Sequence, residues 1–155
     1  MALFGVLEVA DVRCGKSIDE IQIGEKASLT RTFTEEDVRK FAELSGDHTP
    51  YHLDDEVARR SVFGAKIVHG MLTASLVPAV CSTYLPGPGS FGIDVYVKLV
   101  APVYIGDTVT AGVEVVEKNE AKNRIKVKLS FVNQHGKEVL IGHSWCVPPR
   151  KPGSE

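Results

Sequence analysis

The sequence predicts an α+β domain in which an antiparallel sheet of about five strands wraps around one long buried helix. Two observations carry this. Residues 26–33 and most of 93–147 alternate apolar with polar side chains between turn signals, the period of half-buried strands. Residues 70–84 instead place apolar side chains on every side of a helix, and such a helix has to be buried.

In chain order, Ala27, Leu29, Arg31 and Phe33 alternate with Ser28, Thr30 and Thr32, which predicts the first strand over 26–33. Thr34 then serves as an N-cap with Asp37 three residues on, an arrangement like a capping box. Val38, Phe41, Ala42 and Leu44 form the apolar face of that helix. Ser45-Gly46 ends it, because glycine tolerates the left-handed turn of a helix C-terminus. Residues 47–52 read as an irregular loop, and residues 54–60 as a short charged helix. The long helix starts near Gly70 and reaches about Tyr84, with Met71, Leu72, Ala74, Leu76, Val77, Ala79 and Val80 all round it. Pro78 cannot donate to the carbonyl of Ala74, so a kink is expected at Pro78. Strands follow at 93–100, 108–118, 123–133 and 138–147. Ile125, Val127, Leu129 and Phe131 alternate with polar neighbours, which gives the sheet one wet face. Turns at 118–123 and 134–137 join these strands as antiparallel hairpins.

A chain of 155 residues fits a single domain, read here as 1–155 with a loose tail over 148–155. A net charge of −2 with both signs mixed excludes a protein that coats nucleic acid, which would need an excess of Lys and Arg. Arg59, Arg60 and Lys66 could meet one phosphate group, although a solvated charged face explains them as well. Three scattered cysteines, Cys14, Cys81 and Cys146, give neither a disulfide framework nor a zinc ribbon, and suit a reducing, cytoplasmic setting. The first ten residues carry Glu8 and no basic leader, unlike a signal peptide. No run approaches the roughly 18 apolar residues of a membrane span.

The loop Gly46-Asp47-His48-Thr49-Pro50-Tyr51-His52 places a carboxylate and an imidazole five residues apart. Pro50 disfavours helical backbone at Thr49 and stiffens the loop. If Asp47 and His52 converge on one water, they can remove a proton and return one. The structural alternative is that Asp47 caps the following turn and His52 merely begins a helix. The second feature is Val68-His69-Gly70-Met71 at the start of the long helix. Helix-start amides lack internal partners, and a glycine there lets a ligand oxygen approach Gly70 N–H, as an oxyanion hole requires. Close packing alone would equally call for that glycine. His48, His52 and His69 could be read as metal ligands, but Pro50 interrupts the spacing and no further ligand completes the set, so no metal is expected. Trp145 reads as a core or interface anchor.

The stretch Phe41-Ala-Glu-Leu-Ser-Gly-Asp-His-Thr-Pro-Tyr-His52 and the later Phe63-Gly-Ala-Lys-Ile-Val-His-Gly-Met-Leu-Thr-Ala-Ser-Leu76 resemble the signature of MaoC-like dehydratases, in particular the (R)-specific enoyl-CoA hydratases. Leu85-Pro-Gly-Pro-Gly-Ser90 and Pro102-Val-Tyr-Ile-Gly-Asp107 match as well, so the resemblance extends from Gly24 to Trp145. It implies a hot-dog fold, a homodimer, and reversible addition of water to a trans-2-enoyl thioester of CoA or acyl carrier protein. It implies no metal or redox cofactor. The family's catalytic Asp and His fall on Asp47 and His52, and its oxyanion amide on Gly70. Ala74, Pro78 and Cys81 recur at i+4, i+8 and i+11 from Gly70 and fall where the family lines its acyl pocket, with Thr49 and His69 as further substrate contacts.

Two positions depart from the pattern. Thr49 stands where the family usually has Asn, and Asp94-Val95 where it often has Ser-Gln. Two other readings therefore stand beside hydration: a hot-dog thioesterase that directs water at C1, and a non-catalytic acyl-thioester-binding module.

Overall fold

Residues 14–151 are described by the computed structural model, and their five strands form one antiparallel sheet. The expectation for the first ten residues lies outside the described residues. Along the chain run β1 (Lys26–Thr32), α1 (Glu35–Ser45), α2 (Pro50–Leu53), α3 (Asp55–Arg60), α4 (Gly70–Ala74), α5 (Leu76–Thr83), β2 (Phe91–Leu99), β3 (Thr108–Asn119), β4 (Arg124–Val132) and β5 (Glu138–Val147). The strand order is β1-β3-β4-β5-β2, so β1 and β2 are the two edges.

The sheet curls around α5. Alternate residues of β3 and β4, among them Val113, Val115, Val127, Leu129 and Phe131, are buried with Leu76, Val77 and Val80 of the helix in one core. This is the hot-dog fold the resemblance implies. Register follows from the alternation: Val113 faces Leu129 and Val115 faces Val127 across the β3–β4 pair, and a one-residue slip would turn the core face outward. The β3–β4 hairpin turns at Asn123, with φ 50°, and the β4–β5 hairpin at Gly136, with φ 74°.

Three expectations need correction. The kink lies at Ser75, between α4 and α5, rather than at Pro78. Pro78 leaves the Ala74 carbonyl without its donor and crowds it, so the disruption falls in the turn before the proline. There the Ser75 amide is shared between the carbonyls of Met71 (2.9 Å) and Leu72 (3.3 Å). Second, the long helix is not covered on every side in the single chain: Met71 is 62% exposed. Third, residues 47–52 are not wholly irregular, because α2 begins at Pro50 and takes His52 into a short helix. Proline suits that first helical position, where no intrahelical donor is needed. The tail is held as far as Lys151: Asn123 donates to the Pro148 carbonyl at 2.9 Å, and Lys151 pairs with Glu20. The remainder of the expected tail lies outside the described residues.

Candidate active site

Local chain chemistry delivers Asp47 and His52 to one place. Gly46 caps α1 in the left-handed conformation (φ 78°), its amide donating to the Ala42 carbonyl at 2.9 Å. The chain then turns, and Asp47 Oδ1 accepts from both the Thr49 amide (3.1 Å) and the Thr49 hydroxyl (2.6 Å). That side-chain turn sets Pro50 as the first residue of α2 and His52 as its third. The imidazole of His52 is 7% exposed and donates from Nδ1 to the carbonyl of Ile67 at 2.7 Å. A carbonyl can only accept, so in the neutral ring Nε2 carries the free lone pair.

Ile67 also connects the two halves of the site. It bridges to Tyr104, and the Val68 amide beside it donates to the Val103 carbonyl at 2.7 Å. Two residues later α4 begins. His69, 2% exposed, donates from Nε2 to the Asp47 carbonyl at 2.9 Å, and its ring stacks on His52 with centroids 3.8 Å apart. Phe41 of α1 packs against the His69 imidazole, with centroids 5.0 Å apart. One nitrogen or oxygen from each of Asp47, His52 and His69 lies within 4.8 Å of the others.

The electrostatics distinguish these three groups. The Thr49 hydroxyl and amide hold the Asp47 carboxyl below its ordinary range, so it is ionised at neutral pH. Burial lowers His69, outweighing the opposing effect of its bond to Asp47, and keeps that ring neutral. His69 Nδ1 is buried without a partner. The cluster suits proton handling better than chelation. Imidazole lone pairs lie in the ring plane, and two rings only 24° from parallel do not aim theirs at one point. His48, weighed as a ligand from the sequence, is exposed and outside the cluster.

Gly70 begins α4, so its amide has no acceptor within its own helix. It borders a cavity of about 340 Å³ with Thr73, Leu99 and Val103, and a Cβ on it would lie 2.2 Å from Leu99 Cδ1. Both sequence readings of Gly70, ligand approach and close packing, have a physical basis here.

Comparison with known proteins identifies the family. Residues 19–135 match the MaoC like domain family. The chain belongs to the MaoC-like family. It is 38% identical over 133 residues to the (R)-specific enoyl-CoA hydratase of Rhodospirillum rubrum, covering 86% of this chain and 92% of that one. It is 37% identical over 134 residues to the 3-hydroxybutyryl-CoA dehydratase of Methylorubrum extorquens, covering 86% and 84%. The unliganded R-hydratase PhaJ1 of Pseudomonas aeruginosa superposes with a TM-score of 0.84 at 36% identity, covering 88% of each chain. These relatives are hydro-lyases.

Set against this MaoC-like frame, the sequence-derived residues divide. Asp47, His52 and His69 come together, with Gly70 following His69 directly. Thr49 and His69, expected as substrate contacts, both donate to Asp47. Pro78 and Cys81 line a second cavity of about 510 Å³, together with Val77, Val95, Ser144 and Cys146. Ala74 does not line it and is buried in the core. Ala74 closes α4, while Pro78 and Cys81 belong to α5, with Ser75 between the two. Of the phosphate candidates, Lys66 is engaged by Glu35 (3.0 Å) and Asp55 (3.2 Å), and Arg60 by Glu56. The Ile67 carbonyl escaped the sequence reading, since any residue supplies a carbonyl. Among the described residues no helix is long and apolar enough to cross a membrane.

Proposed function

We propose that this chain is an (R)-specific enoyl-thioester hydratase, adding water reversibly to a trans-2-enoyl-CoA to give the (R)-3-hydroxyacyl-CoA. The observation that carries this reading is the convergence of an ionised carboxylate, Asp47, with the imidazole of His52, whose Nδ1 is held by the Ile67 carbonyl. Thr49 occupies Asp47 Oδ1 and Ile67 occupies His52 Nδ1, which leaves Asp47 Oδ2 and His52 Nε2 as two acceptors for the two protons of one water. Such a water attacks C3 while the pair takes one of its protons. Electron density moves through C2 to the thioester oxygen, where the free amide of Gly70 can donate to it. The pair then returns a proton to C2 on the same face, so that one water is added across the double bond.

We also propose a homodimer formed through β2. The other edge, β1, presents Lys26, Ser28, Thr30, Arg31 and Thr32, polar side chains that discourage pairing. On β2, in contrast, Phe91, Ile93, Val95, Tyr96 and Leu99 are exposed. An apolar edge of that length favours a second copy, and sedimentation should give about twice 16.8 kDa at micromolar concentration. A single-chain species alone would contradict this. The free thiols of Cys14, Cys81 and Cys146 suit the reducing, cytoplasmic setting expected from the sequence.

The activity is tested by incubating the protein with crotonyl-CoA and following enoyl absorbance, free thiol and product configuration together. Loss of absorbance without thiol, yielding the (R) product, is expected. Thiol release would make the protein a thioesterase, and no reaction with four- or eight-carbon enoyl-CoA would make it a binding module.

A further inference from the structure

Lysine seldom leaves water without a partner. The side chain of Lys66 is only 10% exposed, and its ammonium lies between two carboxylates, Glu35 at 3.0 Å and Asp55 at 3.2 Å. Burial opposes the charge, yet the two carboxylates outweigh it and hold the lysine above its ordinary pKa. Glu35 is the first residue of α1 and Asp55 the first of α3, so one side chain ties two helix starts together. The hydration step itself uses neither ion pair.

The next residue is Ile67, whose carbonyl holds Nδ1 of His52 at 2.7 Å. The same two short segments are therefore joined twice, Lys66 to Asp55 and Ile67 to His52. Asp55 lies three residues after His52, and the turn between them is stiff. The Asp54 amide donates to the Pro50 carbonyl at 2.8 Å, and the Asp54 carboxylate accepts from the amides of Glu56 and Val57 at the start of α3. By contrast, the backbone bonds beside the Ile67 carbonyl are long. The Ile67 amide donates to the Tyr51 carbonyl at 3.3 Å, and the Ile105 amide to the Lys66 carbonyl at 3.4 Å. We propose that Lys66 is a positioning residue for His52. Its ammonium, held by Glu35 and Asp55, fixes the peptide that carries the Ile67 carbonyl, and so keeps the His52 proton on Nδ1 and the lone pair on Nε2.

Lys66 itself meets neither the water nor the thioester. When its charge is lost, the Ile67 carbonyl is free to drift from Nδ1, and the neutral ring can carry its proton on either nitrogen. Only the fraction with Nε2 unprotonated can take a proton from water. The consequence for rate rests on the hydratase reading, whereas the tautomer of His52 does not.

The test compares full-length Lys66→Met, which keeps an apolar stem and removes the charge, with Lys66→Arg, which restores it. In protein carrying isotope-labelled histidine, the imidazole nitrogen resonances at a pH where the ring is neutral report which nitrogen bears the proton. The His52 resonances are those missing from His52→Gln. Expected are the Nδ1–H tautomer alone in the parent and in Lys66→Arg, and a mixture of both tautomers in Lys66→Met. On crotonyl-CoA, kcat of Lys66→Met should fall about tenfold with KM within about twofold, and kcat of Lys66→Arg should stay within about threefold of the parent. A parental tautomer in Lys66→Met overturns the proposal, with or without a loss of rate, and so does a raised KM with kcat intact, which would put Lys66 on the substrate. Should Lys66→Met not fold, Asp55→Asn decides in its place, because that carboxylate is 86% exposed. It should shift the tautomer in the same direction by less, and an unshifted tautomer there overturns the proposal. A tautomer shift in a protein whose parent hydrates nothing would uphold the positioning and count against the hydratase reading alone.

Discussion

The imidazoles of His52 and His69 lie face to face, 3.8 Å between centroids and 24° from parallel. Each is anchored through a different backbone carbonyl, His52 through Ile67 and His69 through Asp47. The pair thereby fixes the distance between the two groups proposed to act on water. Protonating both rings would set two positive charges about 4 Å apart in a poorly solvated place, and burial keeps His69 neutral.

His69→Phe would keep a ring against His52 but lose the donor to Asp47. One hydrogen bond contributes roughly 0.5–1.5 kcal/mol, so kcat should fall about 2- to 13-fold. KM for crotonyl-CoA should stay within about twofold, because the interaction positions Asp47 rather than substrate. Steady-state kinetics decide this: a raised KM with kcat intact would put His69 on the substrate.

Thr49→Val would remove the hydroxyl that accepts no other role than donating to Asp47 Oδ1. The Asp47 pKa should then rise toward the ordinary carboxylate value of about 3.9, and the acidic limb of kcat/KM should move to higher pH. The linkage has a definite sign. A carboxyl whose folded pKa is depressed favours folding above its unfolded pKa and loses that contribution as pH falls through the folded value. Thr49→Val should therefore lose stability at neutral pH relative to the parent, with the difference closing in acid. Thr49→Asn keeps a donor and should preserve the acidic limb. A parental pH profile in Thr49→Val would contradict this role.

Much of this was legible in the sequence. The strands over 108–118 and 138–147 follow directly from two-residue alternation, and the first helix from its Thr34 and Gly46 caps. Asp47 and His52 were legible as a motif, but their tautomer and ionisation were not. Those depend on the Ile67 carbonyl, fifteen residues beyond His52, and on a Thr49 side chain that the sequence reading assigned to substrate. On the expected acyl face, Pro78 and Cys81 line the 510 Å³ cavity and Ala74 is buried in the core. Cys81 and Cys146 are distant in sequence, and only the curl of the sheet over α5 brings both to the lining of one cavity.

Gly70→Ala should separate packing from catalysis. The new Cβ would overlap Leu99 Cδ1, the far end of a flexible side chain, so the stability loss should be about 1–3 kcal/mol by thermal or urea unfolding. Adding Leu99→Ala should relieve that strain. Activity should remain low in the double variant if the amide must meet the thioester oxygen closely. Recovery of both stability and rate would reduce Gly70 to a packing residue.

Chain-length preference should respond to the cavity rather than to Ala74. Ala74→Phe would overpack the core, lowering stability and both rates together. Cys81→Phe projects into the cavity and should reduce hydration of eight-carbon enoyl-CoA far more than of the four-carbon substrate. Equal losses in Cys81→Phe would place the acyl chain elsewhere.

The most direct measurement is kcat/KM for hydration of crotonyl-CoA by Asp47→Asn, His52→Ala and the double variant, each shown to be folded by its unfolding transition. If the two side chains act on one water, each single change should lower the rate about 10²–10⁴-fold. The double variant should then be little worse than the poorer single one, because groups that act as a unit are not additive. Single variants that both stay within about tenfold of the parent would contradict the assignment of Asp47 and His52 as the acid–base pair.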